Sequence, residues 1–375
     1  MNGEVEIRIL RTLEEFAASQ AGWDELVVAL PRPSPFLLHG WLMEWWRHNG
    51  AGQRLAVVVA VRDGSLVGAV PLAIRRRFGL DVAGFVGGAD AGIVDILVAA
   101  DEPEQTGNAL AAAVAGSEFD LLDVFGLPGE SRLARSLPGL KLIERVESPV
   151  LLMPDGFEIA YGRVRSSRRR KQDRRRLTKL EETHTVEFRL ATSEPELGAA
   201  LDDAFDIHAH RWQGRNDRSG FSDASGRDFQ RAALEAVMST AKPHILTMTI
   251  DNKPAAFQYW FMLGTTMIGC RRGFDPAYAE YSPGLVTMLR ALELAASEGV
   301  NRVEFLGGGE RYKLEFADRQ EPLYQAIGLP RGARGHLGSQ ATYLLTTGRQ
   351  RLRRSATLRR LYLERGKKLR FPRPR

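Results

Sequence analysis

The chain has 375 residues, 44% of them hydrophobic, which is enough for two cores. Its one cysteine, Cys270, excludes a disulfide framework and thiolate metal clusters. The net charge of +6 is unevenly spread: Arg163–Lys179 carries +9 and Arg349–Arg375 carries +11, leaving −14 on the rest. The body is therefore acidic, and the basic character is confined to two segments. Glu4, Glu6 and Arg8 interrupt the first ten residues, which argues against a signal peptide. The longest uncharged stretch, Pro254–Cys270, is too short and polar for a span and reads as two strands and a turn, so a cytoplasmic protein is expected.

In chain order, Val5–Ile9 alternates as a strand and is followed by Thr12, acids and a helical run. Phe36–Trp46 reads as a helix whose Trp41 and Trp45, four residues apart, suit a core. Leu55–Leu72 is a hairpin about Asp63-Gly64-Ser65, a sequence that supplies the positive φ angles such turns need. Gly84–Gly88 is a glycine cluster without a nucleotide fingerprint. Ala109–Phe125 gives an Ala/Leu helix, a stop at Gly116 and the strand Leu121–Phe125. Arg163–Glu182 lacks Gly and Pro and reads as one long basic helix.

The same series then returns. Val186–Leu190 repeats the opening strand 181 residues on, and a helix runs from near Pro195 to Trp212. His244–Met262 is a second hairpin about Asp251-Asn252-Lys253. Leu289–Leu306 repeats helix, glycine (Gly299) and strand, with Glu304 181 residues after Asp123. The chain is thus expected to hold two copies of a mixed α/β unit of about 150 residues. The boundaries read as 1–155, a basic linker helix 156–183, a second domain 184–330 and a basic tail 331–375.

Five motifs in order carry a resemblance: Phe36–Trp46, His208-Ala209-His210-Arg211-Trp212, Gly273–Pro276, Tyr281-Ser282-Pro283-Gly284 and Gly309-Glu310-Arg311-Tyr312-Lys313. Over residues 5–325 the chain resembles the CelD/BcsL-like acetyltransferases linked to cellulose biosynthesis, within the GNAT superfamily. That group is similar in architecture to the Fem peptidyltransferases. The resemblance implies two tandem GNAT-like halves and an acyltransferase. It would move an acetyl or other acyl group from acyl-CoA to an amine or hydroxyl of a sugar, amino acid or envelope-related acceptor, with no metal.

Candidate site residues follow. Tyr281-Ser282-Pro283-Gly284-Leu285 precedes a helix whose N-terminus suits a pyrophosphate. It has fewer glycines than the usual GNAT loop, and Pro283 offers no N–H. Arg271 and Arg272 either meet donor phosphates or form a solvated edge. Glu304, mid-strand, is either a general base or a structural ion pair. Gly307–Gly309 lets backbone approach a ligand. Glu310 is a second base candidate, and Lys313 an anion holder. The resemblance implies that Tyr312 protonates the leaving thiolate and that His210, Arg211 and Trp212 lie at the acceptor. His208 and His210 are two apart, which excludes an i, i+4 metal pair. Cys270 as an acyl carrier is set against a buried strand cysteine.

Two other readings stand beside this one. A Fem-like enzyme would take aminoacyl-tRNA on Arg163–Lys179, although that segment has no aromatic residue to stack bases, which counts against a nucleic-acid partner. A non-catalytic adaptor would dock its basic tail, Arg349–Arg375, on the anionic inner face of a membrane.

Overall fold

The computed structural model describes residues 4–212, 220–307 and 311–354, the side chains of 212, 311, 312 and 352–354 excepted. The first half comprises β1 (Glu6–Leu10), α1 (Leu13–Ala18), α2 (Trp23–Val28), α3 (His39–Asn49), β2 (Gln53–Arg62), β3 (Ser65–Arg77), β4 (Leu80–Phe85), β5 (Leu97–Val98), α4 (Glu104–Gly116), β6 (Leu121–Pro128), α5 (Arg132–Ser136) and β7 (Lys141–Leu152). Two helices follow, α6 (Phe157–Val164) and α7 (Ser167–Glu181). The second half comprises β8 (Val186–Ala191), α8 (Glu196–Trp212), α9 (Ala224–Val237), β9 (Lys242–Ile250), β10 (Lys253–Leu263), β11 (Thr266–Phe274), α10 (Pro283–Ser297), β12 (Arg302–Glu304), α11 (Arg311–Phe316) and β13 (Arg319–Gly328). Then comes α12 (Gly332–Arg354).

Both hairpins form at the expected turns, with φ of +50° and +81° at Asp63 and Gly64 and of +50° and +62° at Asp251 and Asn252. The repeat is also visible in the sheet. The described strands make one mixed sheet in the order β1-β2-β3-β4-β6-β13-β7-β12-β11-β10-β9-β8, with β5 beside β3. The two repeated opening strands, β1 and β8, are its two edges. Each half has one parallel pair, β4 with β6 and β11 with β12.

The halves exchange their last strands. β13 pairs with β6 of the first half, β7 pairs with β12 of the second, and β7 and β13 pair with each other. Hydrogen bonding is therefore continuous across the junction, and the linear boundary at 155 does not divide the sheet.

Further contacts bind the halves. Gly40 of α3 lies so close to α9 that an added Cβ would sit 2.2 Å from the carbonyl oxygen of Ala236. Thr240 donates to Asp24 at 2.7 Å, and the other oxygen of Asp24 accepts from the N–H of His39.

Two expectations change. The single basic helix is two, because Arg165 is extended (φ −126°, ψ 126°) and Ser166 starts a new helix by accepting from the N–H of Arg169. The basic tail begins as α12, a helix docked on the sheet, where Gly335 approaches the carbonyl of Asp120 and Tyr343 packs on Leu121, Ile143 and Ile327. The remainder, 355–375, lies outside the described residues. Among the described residues no helix is long and apolar enough to cross a membrane.

Candidate active site

In the second half, β11 pairs with β12 only from Thr266 to Ile268, against Arg302–Glu304, yet runs on to Phe274 along β10. Beyond Ile268 its other edge faces no strand among the described residues, and a gap opens between Gly269–Phe274 and Phe305–Gly307. The equivalent gap in the first half is filled. Residues 86–103 join β4 to α4, against 275–282 for β11 to α10. The longer connection tucks back inside, with Ala91, Ile93, Val94 and Ile96 buried and Val94 donating to the carbonyl of Gly126 at 3.1 Å. Gly126 (φ +97°) admits this because it has no side chain, and a Cβ there would lie 2.2 Å from the oxygen of Gly92.

The helices that follow the two gaps also differ. α4 begins beside Glu102 and Glu104, with Glu102 paired to Arg62 at 2.9 Å, so its N-terminus is hostile to an anion. α10 begins at Ser282-Pro283-Gly284 and faces α7 across a groove of about 690 Å³. Arg168, Arg169, Gln172 and Arg176 line it from α7, Arg165 from the break before that helix, and Ser282 and Leu285 from the start of α10. These α7 positions recur at three- and four-residue intervals, on one face of the helix. Asp173, the lone acid of the segment, is buried. It accepts from Tyr161 at 2.8 Å and from Arg165 at 2.9 and 3.1 Å, so it anchors the helix. Arg165 also reaches Glu315 at 2.7 Å and lies over the Phe316 ring. Burial first, then the Asp173 hydrogen bond, pushes the Tyr161 phenol above its ordinary range. Arg168 and Arg176 form no ion pair among the described residues.

A second cavity of about 820 Å³ runs from the gap toward the first half. The first half contributes Phe36, Trp41, Asn49, Asp90 and Phe125; the second contributes His208, Arg211, Phe229, Gln258, Tyr259 and Lys313. Arg271 pairs with Tyr259 and Arg272 with Gln258 across the strands, so the two arginines point to opposite faces of the sheet. Both line this cavity, as a channel through the gap requires. Phe274 lines neither space; the Arg211 guanidinium lies 4.8 Å from its ring, and Gly284 is close against its edge.

Residues 167–314 match the family model described as acetyltransferase (GNAT) domain. That segment is similar to GNAT acetyltransferase domains. No curated protein sequence matches it. Three solved structures share the fold. FemX aligns at 11% identity with a TM-score of 0.58, over 91% of this chain and 99% of that one. The C-terminal domain of a putative lysylphosphatidylglycerol synthetase from Agrobacterium fabrum aligns at 12% and 0.55, over 89% and 97%. A tandem GNAT protein from the clavulanic acid biosynthesis pathway aligns at 11% and 0.51, over 88% and 100%. The mixed α/β architecture of two tandem GNAT-like halves is thus established; at these identities the likeness concerns fold alone.

The geometry of this GNAT-like half sorts the candidate residues. Ser282, Gly284 and Leu285 stand at the start of α10. Ser282 takes φ +55° and makes no side-chain cap. Tyr281 packs against α7, with Lys179 5.2 Å from its ring, and does not line the groove. Arg271 and Arg272 are in the larger cavity, apart from the α10 turn. Arg211 lines that cavity, but His210 is exposed on the far side of α8, and His208, two residues earlier, points in. Lys313 lines it too, donating to the carbonyl of Gly307 at 3.2 Å. Glu310 and the side chains of Tyr312 and Trp212 lie outside the described residues.

Glu304 lines neither space. Arg32 grips both of its oxygens at 3.0 and 2.9 Å, Arg302 holds one at 3.0 and 2.6 Å, and Ser148 donates at 3.3 Å. Of the two alternatives open to this carboxylate, the geometry matches the ion pair, and a base reaching bound substrate is not what it shows. Among the described residues, the carboxylates that do line the cavity are Asp223, which caps α9, and Asp90, held by the Trp45 indole at 3.3 Å. Sequence reasoning passed over Asp90, and its only signal was its place after the Gly87-Gly88 pair. Cys270 also lines the cavity. Burial pushes its thiol up to about 12, with Arg271 pulling weakly the other way, so it is a poor nucleophile near neutral pH. Burial, then the neighbouring Cys270, raises the Tyr259 phenol well above its ordinary range, so it remains a hydrogen donor.

Proposed function

We propose that the chain is an acyl-CoA-dependent acyltransferase that takes its donor only in its second half. The observation that carries this reading is the asymmetry of the gaps: the second opens onto a cavity and is followed by an arginine-lined helix N-terminus, while the first is filled and flanked by acids. The donor's phosphates lie at Ser282–Leu285 against Arg168, Arg169 and Arg176. Its pantetheine arm follows β11 beyond Ile268, along the edge that faces no strand among the described residues, and brings the thioester through the gap. The acceptor, a small sugar, amino acid or envelope-related amine or alcohol, sits between the halves among Trp41, Asp90, Gln258 and Arg211.

The nucleophile attacks the thioester carbonyl, so a C–N or C–O bond forms and the C–S bond breaks. Its proton passes to Asp90 or Glu310, and the departing thiolate takes one from Tyr312. Gly307 and Lys313, which bracket Glu310 and Tyr312 in the chain, both line the cavity. Positioning supplies most of the rate, with base catalysis adding about 10²–10⁴-fold.

The test is coenzyme A binding by titration calorimetry on the full chain. Arg168→Glu with Arg176→Glu should weaken binding by about tenfold or more, since each reversal puts a like charge beside the phosphates. Glu102→Gln, at the first-half helix, should change nothing. Equal binding by the reversed variant would overturn the donor site. Once an acceptor is known, Asp90→Asn should lower turnover by about tenfold or more at unchanged coenzyme affinity.

A second reading keeps the site and changes the donor. It is favoured by the outer face of α7, where Lys171 and Arg175 are exposed and extend the basic surface beyond the groove. Salt-sensitive tRNA binding with no affinity for coenzyme A would establish it.

A further inference from the structure

α12 is amphipathic in the reverse sense. The side laid on the sheet carries small and polar residues. Gly335 approaches the Asp120 carbonyl, Gly338 lies against Leu80, Ser339 is buried, Tyr343 packs on Ile143, and Gln350 donates to the carbonyl of Glu144. The leucines face away, with exposures of 73% at Leu337, 65% at Leu344 and 59% at Leu345. With Ala341 they recur at three- and four-residue spacing, on the side opposite Gly335, Ser339 and Tyr343. Single exposed leucines are ordinary, but a stripe of three on one helix is a docking surface.

Charge indicates what docks. From 332 to 375 the sequence holds thirteen Lys/Arg and one acid, Glu364. The neighbouring sheet face is basic as well. The register sets Arg75 opposite Val82 and Arg77 opposite Leu80, the residue that touches Gly338, so both arginines share the face on which α12 lies. Arg75 is exposed, and Arg77 stands 3.9 Å from Asp123. The turn between β3 and β4 projects Phe78, 87% exposed, with the Arg77 guanidinium 5.4 Å from its ring. A second copy of the chain would bring the same basic helix and arginine-bearing sheet face against these, so self-association through this face is opposed by its own charge.

We propose that the outer face of α12 and the Phe78 turn together bind an anionic lipid bilayer, with Leu337, Leu344, Leu345 and Phe78 entering the headgroup boundary and the arginines meeting lipid phosphates. A helix with apolar residues on one side and basic residues around them lies flat in that interface, and each nearby Lys or Arg adds an attraction to anionic lipid that salt screens. The proposal is independent of the donor site, which α7 and α10 form.

The experiment is co-sedimentation of the full chain with vesicles of phosphatidylcholine alone or mixed with phosphatidylglycerol, at low and high salt. The variant is Leu337→Ser/Leu344→Ser/Leu345→Ser; its changes are on exposed positions, and an unchanged melting temperature and coenzyme A affinity show that it is folded. The wild type should bind only the phosphatidylglycerol vesicles and lose binding at high salt, and the variant should bind them about tenfold or more weakly. Equal binding by the variant, or no binding by the wild type, overturns the proposal. So does light scattering that shows a wild-type dimer which the variant turns into a monomer, since the stripe would then join two copies.

Discussion

Glu304 shows how one residue's role depends on a partner far along the chain. Alternation along Val303-Glu304-Phe305 places its side chain opposite its apolar neighbours, and no local signal identifies Arg32, 272 residues earlier, as the group it meets. Arg302 bridges on to Glu321 at 2.6 Å, and Arg32 reaches Glu321 at 3.2 Å, so two arginines and two glutamates tie the first half to β12 and β13. Removing one member strands the others in a buried site. Glu304→Gln is expected to cost on the order of 3 kcal/mol in urea unfolding, with Arg32→Ala alongside it far from additive. Intact stability with lost turnover would instead place Glu304 on the substrate.

At the scale of elements, α7 and α3 each do something their composition conceals. The charge run of α7 reads as a solvated helix, yet Asp173 fastens it to Tyr161 and Arg165, and the arginines left over face α10. The aromatic run of α3 reads as core, which Trp41 and Trp45 bear out, but Gly40 is where α3 meets α9 of the other half. A methyl group there must push the helices apart. Gly40→Ala is therefore expected to lose about 1–3 kcal/mol despite the better helix propensity of alanine, checked by thermal melting. A gain in stability would mean that the two helices separate without cost.

For the whole molecule, strand exchange decides how it unfolds. A first half without β13 leaves β6 and β7 without the strand between them, and a second half without β7 strips β12 of a partner. We expect a single calorimetric transition for the full chain. Residues 1–155 and 156–375 made separately should be unfolded or aggregated, and soluble together only when co-expressed. Two separate transitions, or a well-folded isolated fragment, would show that the exchange is not needed for stability.

The local structure was legible in the sequence because its causes lie within a few residues: side-chain alternation, Asx and Gly at positive φ, helix runs ended by glycine. The 181-residue repeat added the two-fold plan, and the charge count separated the basic segments from the acidic body. Only the tertiary structure decided which half is open, because that rests on whether 86–103 folds back on Gly126. It also decided that His208 and not His210 faces the cavity, that Asp90 lines it, and that the α12 leucines point outward. Each depends on register and packing between segments far apart in the chain, and a shift of one or two residues in either exchanges inside for outside.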